Sequence, residues 1–169
     1  MKSPLNVIAV VGLALGGVLG MVGTVVARQN VRALSWSIDA VGLVVATALL
    51  AVKFFRAGSD FVAAGFLVFA IGEAVVLSGT AGTLEASVPA FAAGTALWSA
   101  ALLLTSIPTQ FAVWVRVAGV IGAILFAITS ERIFWGEQVL PLSSPLPFFA
   151  YPFLVLTFVG WIWTLIKET

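Results

Sequence analysis

The sequence predicts an all-α membrane protein, a bundle of six transmembrane helices with short loops and no soluble domain. Three observations predict it. Hydrophobic residues make up 62% of the chain and charged residues 9%, whereas a soluble domain carries about 25% charged residues. So few charges leave a water-facing surface with large apolar patches. The apolar residues fall in six long runs, each matching the roughly 20 residues with which a helix crosses about 30 Å of hydrocarbon. Finally, every charged residue except Asp39, Glu73 and Arg116 lies between or beyond those runs. Residues 1–169 therefore read as a single transmembrane helical domain.

The first span is expected at 5–27. Its run is longer than the roughly 7–15 residues of a signal-peptide core, so it reads as a span that is retained. Gly12, Gly16, Gly20 and Gly23, with Ala9 and Ala27, recur every three or four residues and share one helical face. Small residues there let another helix approach closely. The stripe serves either packing inside the same bundle or a contact with a second copy or a partner subunit.

The second span, 34–52, follows the polar turn 28–32 and contains Asp39. The third, 61–78, follows 53–60, which holds Lys53, Arg56, Gly58, Ser59 and Asp60, and it contains Glu73. The small residues 79–83 lead to the fourth span, 86–105, where Trp98 lies mid-span with an indole N–H that wants a partner. A turn at 108–110 precedes the fifth span, 111–128, with Arg116 near its start. The longest joint, 129–146, holds Pro141 and Pro145 and is expected to lie along the interface. The sixth span, 147–166, opens on Pro147, and Pro152 is expected to kink it.

With the N-terminal end called side A, Lys2, Lys53, Arg56, Arg116 and Lys167 fall on side A and Arg28, Arg32 and Arg132 on side B. Lysine and arginine in short loops favour the cytoplasm, so both termini are expected there, in a bacterial inner (plasma) membrane. Trp36, Trp135 and Tyr151 near side B, and Trp114, Trp161 and Trp163 near side A, read as interfacial belts.

Composition also excludes chemistries. The chain has no cysteine and no histidine. Dithiol redox chemistry, thiolate metal sites, serine–histidine hydrolysis and zinc-peptidase motifs are therefore outside its reach. Its lysines lie at span ends, away from a buried Schiff base. A net charge of +1 with scattered cations offers no nucleic-acid surface. No enzyme, cofactor or metal is expected, and the expected partners are membrane lipids.

The chemically costly residues are Asp39 and Glu73. Both enter from side B, on helices joined by a short hairpin, each about 8 Å below the interface at 1.5 Å per residue. Ser35, Asp39, Gly42 and Ala46 share a face that should look inward, since a carboxylate in lipid costs several kcal/mol. Either the acids pair with Arg28, Arg32 or Arg132, or Glu73 is simply protonated, or the two form a proton or cation site. Glu131, Arg132 and Glu137, around Phe134 and Trp135 with Glu85 nearby, read either as a mouth or binding surface or, more commonly, as a solvated side-B rim whose ion pairs are weak. Two functions follow: an accessory, assembly or lipid- or small-ligand-binding protein acting within the bilayer, or a small proton- or cation-coupled carrier or channel using Asp39 and Glu73.

Overall fold

The computed structural model describes residues 3–80 and 82–167 and consists of six α-helices: α1 Pro4–Val25, α2 Gln29–Arg56, α3 Asp60–Gly79, α4 Val88–Ser106, α5 Val113–Phe134 and α6 Tyr151–Lys167. Among the described residues there is no strand. Five of the helices are long and apolar enough to cross a membrane, and α6 is shorter, with 17 residues. Lys2 and Ala81, read above as a side-A cation and part of a flexible joint, lie outside the described residues.

Each helix packs on its neighbours in the chain, and α6 closes the ring by touching α1 as well as α5. Short joints make successive helices antiparallel. Large apolar side chains point outward: Val7, Val11, Leu15 and Val18 on α1, Val41 and Val45 on α2, Leu67 and Ile71 on α3, Val117 and Ile124 on α5. Inside, toward side A, aromatic rings fill the ring of helices. Phe66 lies 5.4 Å from Phe54 and 4.7 Å from Trp161, centroid to centroid, and Phe111 and Phe158 also pack on Trp161.

The helix bounds depart from the expected spans where local hydrogen bonding outweighs composition. The polar residues expected as the turn 28–32 belong mostly to α2, which starts at Gln29 rather than 34. Glutamine and arginine are good helix formers, and only 26–28 remain as the turn. With 28 residues, α2 is about 42 Å long at 1.5 Å per residue, longer than a hydrocarbon core. It stops at Gly58, whose φ is 71°. Gly58 N–H donates to Phe55 O, and Ser59 N–H to Phe54 O, closing a Schellman cap.

The same cap corrects α5, which runs to Phe134 instead of ending at 128. The hydroxyls of Thr129 and Ser130 donate back to the carbonyls of Leu125 and Ala127, so these polar residues stay helical. Gly136, with φ 95°, then ends the helix, with Glu137 N–H bonded to Arg132 O. Glu131 and Arg132 are therefore on a helix, not in a joint. Conversely, α6 begins at Tyr151 rather than 147, after a stack of turns over 141–150. Pro152 falls in its first turn, where a missing N–H has no intrahelical acceptor to lose. The kink expected at Pro152 does not form for that reason.

Arg116, half-buried near the start of α5, caps the end of α4. Its Nε donates to Ser106 O at 2.7 Å and its Nη2 to Ile107 O at 2.9 Å. A cation at a helix C-terminus also complements the helix dipole. Arg116→Leu is expected to lower stability by about 1.5–3 kcal/mol, the range of hydrogen bonds that involve a charged group. Thermal unfolding in detergent measures it, and an unchanged midpoint would remove the capping role.

Candidate functional site

The glycine stripe sets the geometry of the site. Gly12 faces the backbone of Gly42 and the Cβ of Ala46, Gly16 faces Leu43, Gly20 faces Asp39, and Gly23 faces Trp36. All four contacts are with α2, so the stripe packs α1 against its own neighbour. The close approach lets the Trp36 indole N–H donate across to Gly20 O at 3.3 Å. It also lays the Asp39 carboxylate against the bare Cα of Gly20, where an added Cβ would stand 3.0 Å from Oδ2.

Above the aromatic plug, toward side B, the ring of helices encloses a cavity of about 370 Å³. Asp39 of α2 and Glu73 of α3 both line it. Asp39 is 9% exposed and Glu73 3%. The two carboxylates lie within electrostatic range of each other and of the Tyr151 hydroxyl. That hydroxyl donates to Pro141 O at 2.8 Å. Arg32 Nε, Asp39 Oδ1, Glu73 Oε2 and Trp98 Nε1 are buried without a hydrogen-bond partner. Trp98 sits beside Glu73 but does not meet it at standard hydrogen-bond geometry. Phe91, Trp98 and Phe158 form the apolar floor, and Gln29, Thr80, Thr83 and Glu85 ring the side-B mouth.

One reading paired the acids with Arg28, Arg32 or Arg132, and among the described residues none of the three makes an ion pair with them. Arg32 lines the cavity, but its Nη2 donates to Val26 O at 2.8 Å and its guanidinium lies 6.0 Å from the Trp36 ring centroid. The carbonyl left free at the end of α1 is the nearer claim on it. Arg28 is exposed on a separate shallow hollow with Gln29 and Asn30. Arg132 donates to Glu137 Oε2 from Nε at 2.8 Å and from Nη2 at 2.5 Å. The hydrogen bond from Arg132 holds the Glu137 carboxyl below its ordinary range.

The structure thus brings Asp39, Glu73 and Arg32 to one cavity and leaves Arg28 and Arg132 outside it. Glu85 reaches the cavity mouth, whereas Phe134 and Trp135 are exposed at 66% and 81% and stand apart. Three lining residues were not legible as such. Trp36 and Tyr151 read as interfacial belt residues, and only the ring closure of α6 onto α1 turns Tyr151 toward the acids. Phe158 carried no signal beyond hydrophobicity. The mid-span Trp98 was the one flag in the sequence, and its unpartnered N–H lies at the cavity.

Buried carboxylates without a counter-charge are expensive, so this arrangement suits a guest that brings positive charge or hydrogen-bond donors. Among the described residues no three His, Cys, Asp or Glu side chains gather in a way that would hold a metal. No family model matches the chain, and neither a curated protein nor a solved structure does.

Proposed function

We propose that this chain is an integral membrane protein of six spans that binds a small ligand within the bilayer, in the cavity at Asp39 and Glu73. The observation that carries the proposal is the burial of two carboxylates, without arginine partners, in the wall of one cavity. Its volume of about 370 Å³ falls within the roughly 300–1,000 Å³ of small-molecule sites. The outward valines, leucines and isoleucines support seating in lipid, which solvates them as water does not. The turns over 141–150 extend the short α6 toward side B. Lys53, Arg56, Arg116 and Lys167 at the other end favour a cytoplasmic side A in a bacterial inner membrane, which turns the cavity mouth outward.

The role is that of an accessory or ligand-binding subunit, without catalysis. A proton- or cation-coupled carrier built on the same acids needs a route to side A. There the rings of Phe54, Phe66, Phe111 and Trp161 are packed in contact, and this one-ended shape favours binding over transport. A second copy or a partner subunit would meet α1 on its exposed Val7, Val11, Leu15 and Val18, because α2 already covers the glycines.

The test is mass spectrometry of protein purified in mild detergent. Wild type is expected to retain a small molecule that the double variant Asp39→Asn, Glu73→Gln loses, at an unchanged thermal midpoint. An empty wild type, or the same load on both proteins, would overturn the proposal.

A further inference from the structure

The ligand class can be taken further, resting on the binding function just proposed. We infer that the cavity takes a small organic cation with an apolar body, an amine or quaternary ammonium group seated at Asp39 and Glu73 with its hydrocarbon part on the aromatic floor.

Three features of the cavity converge on that chemistry. First, Asp39 Oδ1 and Glu73 Oε2 are acceptors in the cavity wall that no donor of the protein meets at standard hydrogen-bond geometry, the Trp98 N–H lying beside Glu73 included. Second, the charged groups that line the cavity are Asp39, Glu73 and Glu85 against Arg32 alone. Arg32 gives Nη2 to Val26 O and lies beside the Trp36 ring, with its Nε buried and unpartnered, so one cation stands against three carboxylates. Third, the floor and walls present the rings of Phe91, Trp98, Tyr151 and Phe158. Aromatic faces attract a desolvated cation while also accommodating apolar atoms. An inorganic cation would use the carboxylates but leave these rings idle, and among the described residues the third acidic ligand that a metal would want is missing.

The decisive comparison uses benzyltrimethylammonium and its neutral carbon isostere neopentylbenzene, which match in shape and differ only in charge. Each is titrated into the full chain in a non-ionic detergent. The readout is tryptophan emission, to which Trp36 and Trp98 at the cavity respond. The cation is expected to bind about tenfold or more tighter than the isostere, the scale of one desolvated cation on aromatic faces beside a carboxylate. Asp39→Asn and Glu73→Gln, each checked for a wild-type elution volume and thermal midpoint, are expected to remove most of that preference while leaving the response to neopentylbenzene unchanged. Should one variant fail to fold, the other carries the test. Equal binding of both probes to wild type overturns the cation assignment and leaves ligand binding standing. Binding of neither probe to folded wild type overturns the cation assignment too, and an empty wild type in mass spectrometry would then remove ligand binding with it.

Discussion

Gly12→Ala is expected to destabilise the protein by about 1–3 kcal/mol, and Gly12→Leu by more, because the added atoms meet backbone rather than a side chain that can turn away. A Cβ on Gly12 would stand 2.5 Å from Gly42 O and 2.8 Å from Ala46 Cβ. Neither can yield unless α1 and α2 separate along the whole seam. In lipid, helices gain little from the hydrophobic effect and associate by close van der Waals contact, so a wider seam loses most of what holds the pair. The controls sit on the same helix. A Cβ on Gly16 would meet only the side chain of Leu43, whose rotamer can shift, so Gly16→Ala should cost less. A Cβ on Gly17 would meet Phe158 and Val155 side-chain atoms at an ordinary 3.7 and 3.8 Å, so Gly17→Ala should fall within about 0.5 kcal/mol of wild type. Thermal midpoints in one detergent rank the three. Equal midpoints for Gly12→Ala and Gly17→Ala would mean that α1 does not lie on α2 by its stripe.

The rank order also separates what the sequence carries from what it does not. The spacing of Gly12, Gly16, Gly20 and Gly23 is enough to define a face, because helix geometry is regular. It does not say which helix fills that face, because a neighbouring helix and a second copy would both fit small residues. The six runs were readable for the same reason: a run length is a local quantity. Bounds failed where a single hydrogen-bond pattern decided them. Gly136 was visible as a glycine, but Ser130, Glu131 and Arg132 before it looked like a loop by polarity alone. The Asp39–Glu73 pairing was legible from depth and hairpin topology. The fate of Arg32 was not, since it depends on where the last carbonyls of α1 point, and side-B arginines on three different elements looked equally available.

The aromatic plug carries the second large effect. Trp161→Ala is expected to cost about 3 kcal/mol, the low end of tryptophan-to-alanine losses in soluble cores. The low end applies because the unfolded reference in detergent is already out of water, so that loss of packing and the void left behind dominate. Trp161 is 1% exposed, and its ring lies 4.7 Å from Phe66, 5.5 Å from Phe158 and 6.1 Å from Phe69, centroid to centroid. It thus joins the rings that close side A to those that floor the acidic cavity. Removing it should lower the thermal midpoint sharply. It should also connect the cavity to side A, so that vesicles holding the variant leak small cations that wild-type vesicles retain. Trp163→Ala is the matched control, because Trp163 lies two positions along the same helix and is 53% exposed; its loss should leave both readings near wild type. If Trp161→Ala falls in stability and the vesicles stay tight, the plug is a packing core alone. If wild-type vesicles already leak, side A is not sealed and the one-ended shape that separates binding from transport is lost.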